Sequence, residues 1–264
     1  MLPRPSWDAP LEAPECPENW RTGSPDFIGI GAQRCGTSWW YAAAIRSHPQ
    51  VQRSALGKEV HFFDRFWRGE APPDLAVRYG RLFPRPRGKL TGEWTPGYMA
   101  DFWTPALLRE AAPDARLLVM LRDPVERYRS ALAFVRRRAV EREGLLRSAS
   151  LREAMWRGFY HEQLRRVLEL YPRKQVLVLQ YERCIAEPIA EMERTCRFLG
   201  LRSRRRPPER LVARVGPAQA SSPLGEAARR ELTALYREEV RRLVELVPGI
   251  DLSLWPNFRE LAAG

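Results

Sequence analysis

The chain has 264 residues, 44% of them hydrophobic, and a formal net charge of +12. That size suits one sizeable α/β domain rather than two, and no apolar run approaches the length that spans a bilayer. The positive charge is almost wholly arginine, with Lys58, Lys89 and Lys174 the only lysines; it suits nucleic acid, an anionic surface or an anionic small ligand, and genomic base composition alone also produces it, so it selects no partner.

The first 24 residues are proline-rich and acidic without an apolar leader core, and read as a tail on a soluble, cytoplasmic protein. Cys16, Cys35, Cys184 and Cys196 form no C-x-x-C pair and share no ligand spacing with His48, His61 or His161, so neither a disulfide framework nor a metal site is expected. "DFIGIGA" then predicts a strand that ends at a glycine loop, and residues 36–47 a helix closing at "SHPQ". "GKEVHFFD" (57–64) reads as an extended segment, and "GEWTPGYM" follows a further strand. "ARLLVML" is a buried strand leading into "RDPVERYRSALAFVRRR", where Asp123, Pro124 and Glu126 supply cap, first turn and capping box. Ser150 and Glu153 cap one long helix through "YHEQLRRVLELY"; "QVLVLQY" is a third strand, 202–226 a loop or lid, and 226–247 a last amphipathic helix. Strands alternating with helices predict a P-loop-like three-layer α/β/α fold with a central parallel sheet, one domain over 25–264, and ligands at the carboxyl ends of the strands.

The chemistry is carried by three stretches. In "GAQRCGTS", Gly31 and Gly36 match the glycines of G-x-x-x-x-G-K-[ST] and Ser38 its hydroxyl, but Thr37 replaces the lysine that a nucleotide hydrolase places on the β/γ-phosphates. Backbone N–H groups, a helix N-terminus and the guanidinium of Arg34 still make an oxyanion cradle; a glycine turn without ligand is the alternative. Arg122 at a strand end and Arg127 and Ser130 on the next helix share a face suited to a second phosphate, or form a well-capped helix start and nothing more. In the extended reading of 57–64, Glu59 and His61 share one face, and Phe62 and Phe63 raise the pKa of Glu59 toward that of a general base; an edge strand with a Glu–Lys pair is the plain alternative.

In this order, "GAQRCGTSWW", "KEVHFFD", "GEWTPGY" and "LRDPVERYRSAL" resemble the sulfotransferases that use 3′-phosphoadenosine 5′-phosphosulfate (PAPS), most closely the heparan-sulfate-type and related bacterial branch, over about Pro25 to Trp255. The resemblance implies that Gln33, Arg34, Cys35, Gly36, Thr37 and Ser38 hold the 5′-phosphosulfate and that Arg122 and Ser130 hold the 3′-phosphate, with 3′-phosphoadenosine 5′-phosphate (PAP) as product and no metal. It implies direct in-line transfer to a hydroxyl, less readily an amine, of a carbohydrate, glycolipid or secondary metabolite. Glu59 is then the base with His61 as its internal rival, Arg34 neutralises the leaving phosphate where the family usually has lysine, and Lys58, Asp64, Glu93, Trp94 and Tyr98 meet the acceptor. Arg210, Arg214 and Gly216 stand where the family's nucleotide-gripping loop lies, without its motif. A P-loop kinase or NTPase is the alternative function, and a nucleic-acid binder the less fitting one, since no reader motif accompanies the arginines. Acceptor identity and oligomeric state are not readable.

Overall fold

A computed structural model describes residues 11–138, 145–203, 207–212 and 224–262. Its centre is a four-stranded, all-parallel sheet in the order β4-β2-β5-β6. Here β2 is Phe27–Gly31, β4 Gly92–Trp94, β5 Arg116–Leu121 and β6 Val176–Gln180. Strands β2 and β6 are buried throughout and β5 at all positions but Arg116, the near-continuous apolar pattern of a sheet covered on both faces. A two-stranded antiparallel pair, β1 (Trp20–Arg21) with β3 (Arg85–Pro86), stands apart. It ties the end of the proline-rich segment to the domain, so the expected tail is not free up to residue 24, and residues 1–10 lie outside the described part.

The helices form two groups around the sheet, giving three layers. In one, α1 (Thr37–Trp40), continued by a π-helical turn Tyr41–Ile45, packs on α8 (Pro188–Leu199), and Trp40 Nε1 donates to Thr195 Oγ1 at 3.2 Å. In the other, α3 (Thr104–Ala111) packs on α6 (Tyr160–Leu170), α6 on α10 (Glu226–Leu246) and α10 on α4 (Pro124–Arg138), with α2 (Leu75–Gly80) against α3 and α5 (Leu145–Trp156) against α4. The short α7 (Tyr181–Ala186) follows β6, and α9 is Glu209–Val212.

Asp123 caps α4 as read: its Oδ1 accepts from the N–H groups of Val125 and Glu126, at 2.9 and 3.3 Å. The capping box does not form, since the Asp123 N–H donates to Glu182 Oε1 at 3.0 Å and Glu126 pairs with Arg129 and Arg229. The single long helix expected from Ser150 onward is instead two, α5 and α6, interrupted at Arg157-Gly158-Phe159. A side chain at Gly158 would lie 2.7 Å from the Tyr236 ring, so α10 packs directly against the break. Ser150 lies inside α5 rather than at its start. Of the proposed lid, 204–206 and 213–223, including Arg214 and Gly216, lie outside the described residues, and 209–212 is α9.

Because the sheet is parallel, the segments after β2, β4, β5 and β6 emerge on one edge: the glycine loop, Thr95–Tyr98, Arg122 and Tyr181.

Candidate active site

The glycine loop is shaped by two residues with positive φ, Arg34 at 70° and Gly36 at 87°. Gly36 is the N-cap of α1, and a Cβ there would lie 2.5 Å from the ring of Tyr181, so this position is closed to other residues on both conformation and space. The Tyr181 ring carries the guanidinium of Arg122, 4.8 Å above its centre. Arg34 turns along the sheet edge: its Nε donates to Ser130 Oγ at 3.3 Å and its guanidinium lies 5.0 Å over the Phe134 ring. The two stretches read as separate anion sites are therefore contiguous, with Arg34 spanning them. Cys35 faces the core, its thiol against the Tyr160 hydroxyl at 3.5 Å and pushed up to about 11 by burial, so it brings no side chain to the cradle. Ser38 is exposed at the start of α1 and Gln33 is half-buried.

Behind the loop lies Arg127, which the sequence reading set beside Ser130 on a face suited to a second phosphate; it faces the core instead. Arg127 is fully buried; one nitrogen donates to the Ala154 carbonyl, while Nε and Nη1 have no partner. Together with Arg122 it lies within electrostatic reach of Cys35, with Glu182 opposing them.

Segment 57–64 is not a strand. Residues 57–61 are irregular, His61 has a φ of 54°, and a 3₁₀ helix begins at Asp64. The backbone instead brings the reactive groups into a line. Lys58 Nζ donates to Thr37 Oγ1 at 3.3 Å and to Glu59 Oε1 at 2.5 Å; Glu59 Oε2 lies 3.4 Å from His61 Nε2; and His61 Nδ1 lies 2.7 Å from Asp64 Oδ2. The line runs from Thr37, at the start of the helix that follows the glycine loop, to Asp64.

Its charges contradict the expected base with a raised pKa. Burial pushes the Glu59 carboxyl up, but the hydrogen bonds and charges of His61 and Lys58 outweigh it and bring it down to about 2. Phe62 and Phe63, expected to desolvate it, are themselves buried among Tyr79, Phe66 and Tyr98. His61, gripped by Asp64 and Glu59 against a smaller cost of burial, is raised to about 10 and carries a proton at neutral pH. Burial lowers Lys58, with Glu59 opposing.

Glu93, Trp94 and Tyr98, expected to meet the acceptor, are buried at 0%, 0% and 1% exposure. Glu93 is the hub beneath the segment: Oε2 accepts from Val60 N (3.0 Å) and Thr95 Oγ1 (2.5 Å), and Oε1 from the hydroxyls of Tyr79 (2.7 Å) and Tyr98 (3.3 Å). Burial raises its pKa, against those donors. The Tyr98 hydroxyl also accepts from Phe62 N at 2.8 Å. Trp94 donates through Nε1 to Gly31 O at 3.1 Å and through its backbone to Lys58 O at 2.7 Å. All three residues therefore position Glu59 and His61 and present no surface to a ligand. A carboxylate in a motif reads as ligand-facing until its four donors, two of them tyrosines, are seen around it.

The chain resembles known proteins in both sequence and fold. The family described as "Sulfotransferase domain" matches residues 100–216. Heparan sulfate glucosamine 3-O-sulfotransferase 3B1 of Mus musculus is 35% identical over 190 residues, covering 67% of this chain and 46% of that protein. Heparan sulfate glucosamine 3-O-sulfotransferase 6 of Homo sapiens is 32% identical over 196 residues, covering 67% and 53%. The chain thus spans about half the length of these mammalian relatives. Among solved structures, a sulfotransferase from Alicyclobacillus acidocaldarius superposes with a TM-score of 0.68 at 27% identity, covering 88% of this chain and 98% of its own. A mouse sulfotransferase complexed with PAP shares the fold at a TM-score of 0.53 and 13% identity, covering 82% and 85%. With a glycine loop lacking the NTPase lysine, a parallel sheet of this order and these matches, the chain belongs to the sulfotransferase-domain family.

Proposed function

We propose that the protein transfers the sulfuryl group of PAPS to a hydroxyl of an acceptor, with Glu59 taking the acceptor proton. The observation that carries this reading is the position of Lys58, whose ammonium touches both Thr37 at the glycine loop and the Glu59 carboxylate. It sets a base beside an anion cradle with one cation between them. The cradle fits the donor: a glycine that admits no side chain at the helix start, and Arg34, Ser130 and Arg122 converging beside it. When bound, PAPS supplies a sulfuryl group already joined to a phosphate leaving group.

The loop amides and Thr37 hold the 5′ end, and Arg122 and Ser130 the 3′-phosphate. Lys58, more than Arg34, is placed to neutralise charge on the transferring group, because Arg34 is turned to Ser130. Glu59 is ionised and faces the acceptor side; when the acceptor hydroxyl displaces Lys58 or His61 from it, its basicity rises as those partners leave. His61, already protonated between Asp64 and Glu59, orients the carboxylate and does not compete as base. A hydroxyl of a carbohydrate is the acceptor class best supported, since the relatives' names specify glucosamine in heparan sulfate. The kinase reading is not favoured: Thr37 holds the lysine position, and its hydroxyl is engaged by Lys58.

The test is a thermal-shift titration with PAP beside ATP and Mg²⁺. Stabilisation by PAP that is lost in Arg122→Ala supports the reading; stabilisation by ATP and Mg²⁺ alone overturns it.

A further inference from the structure

On the acceptor side of His61 lie two residues that no motif links to the chemistry. Asp101 sits in the turn between β4 and α3, its N–H donating to Gly97 O and its carbonyl accepting from Thr104 N, both at 3.2 Å. Its backbone is thus fixed, while no described residue donates a hydrogen bond to its carboxylate. Arg157 stands at the break between α5 and α6. Its Nε and Nη2 hold Glu153 Oε1 at 3.0 and 2.6 Å, and its Nη1 is buried without a partner.

The two meet over Gly97: a Cβ built there would lie 3.5 Å from Asp101 Oδ2 and 3.6 Å from Arg157 Nη1. An unanswered acceptor and an unanswered donor therefore both sit next to one glycine. Asp101 also belongs electrostatically to the reactive line. Burial pushes its carboxyl up to about 6; Arg157 opposes this, Asp64 and Glu153 add to it, and His61 opposes it. Adjacent in sequence to each polar residue is an exposed ring, Phe102 at 74% and Trp156 at 42% exposure.

Resting on the sulfotransferase reading, we propose that Asp101 and Arg157 are the acceptor-recognition pair, and that they select an uncharged, polyhydroxylated ring over a polyanionic glycan. Neighbouring hydroxyls answer both groups at once: one donates to the Asp101 carboxylate, and the oxygen of the next accepts from Arg157 Nη1. Trp156 and Phe102 cover the apolar face of such a ring. A polyanion would instead bring its charges against the carboxylates of Asp64, Asp101 and Glu153.

The test uses the full chain saturated with PAP and a panel of three neutral probes, the 4-nitrophenyl β-glucoside, β-galactoside and α-mannoside, beside an N-sulfated heparosan oligosaccharide. Affinities are read by calorimetry, and sulfuryl transfer from labelled PAPS is read separately. At least one neutral glycoside binds ten-fold or more tighter than the oligosaccharide. Its affinity falls ten-fold or more in Asp101→Asn and in Arg157→Lys, while PAP affinity changes less than two-fold in both. Tighter binding of the oligosaccharide, binding of none of the three glycosides, or unchanged glycoside affinity in Asp101→Asn overturns the assignment while leaving the sulfotransferase reading intact. Failure of the wild type to bind PAP overturns both.

Discussion

Arg34 Nε donates to Ser130 Oγ at 3.3 Å across 96 residues of sequence, so the glycine loop and the helix after β5 share one side chain. If both ends belong to one nucleotide, the two residues act together on it. Arg34→Ala lowers PAP affinity ~30-fold and Ser130→Ala ~15-fold, in the range of hydrogen bonds to charged groups. The double variant loses less than the product, with a coupling of about 1 kcal/mol. Calorimetric titration of the four proteins checks this; strict additivity would separate the sites.

Glu59→Gln keeps the shape of the side chain and removes the base. Transfer falls by about 10²- to 10⁴-fold, the usual contribution of a general base, with PAP affinity within two-fold of wild type. Steady-state rates beside PAP titrations decide it. A variant that transfers at a tenth of the wild-type rate or better moves the proton elsewhere.

The His61–Asp64–Glu59 cluster makes stability depend on pH from both sides. His61 is raised from 6.5 to about 10, so its contribution is complete below pH 6.5 and is lost as pH rises toward 10. Glu59 is lowered from 4.5 to about 2, so its contribution is complete above pH 4.5 and is lost as pH falls toward 2. The melting-temperature gap between wild type and His61→Asn, a residue that tolerates the positive φ, is therefore widest between pH 4.5 and 6.5 and narrows on either side. NMR titration of the imidazole finds its midpoint well above 6.5, and Asp64→Asn brings it down.

Glu93→Gln turns an amide donor toward groups that already donate. With Val60 N–H and the hydroxyls of Thr95, Tyr79 and Tyr98 around it, the variant loses about 2–4 kcal/mol of stability, the range of a broken buried network. Denaturant unfolding measures this. A variant of wild-type stability with a raised acceptor KM would return Glu93 to the substrate side.

Gly36→Ala meets the Tyr181 ring and an unfavourable φ together. PAP binding is lost, and stability falls by about 1–3 kcal/mol. A melt with and without PAP separates the two effects.

Much of this was legible before any coordinates. Strands β2, β5 and β6 lie in the sheet interior or are covered on both faces, so their apolar runs name them, and Asp123 announces the helix it caps. The edge elements left weaker marks: β4 has three residues and β1 and β3 two each, too few for a period. The 57–64 segment alternates like a strand, yet its conformation comes from Glu93 beneath it, a partner 33 residues from Val60 that no local pattern reveals. The same holds for the helix break at Gly158, made by Tyr236 on α10, and for the low pKa of Glu59, set by a lysine and a histidine whose approach depends on a turn. Ordered motifs identify the family; burial and charge within them are properties of the tertiary fold.

The backbone bond from Trp94 N to Lys58 O has a meaning beyond catalysis. Strand β4 ends the sheet, and an open end of a parallel sheet invites a second chain to pair with it. The segment that presents Glu59 occupies that position as a cover strip. Substitutions that loosen the segment thus open an adhesive edge, and light scattering on standing reports them alongside the assay of transfer.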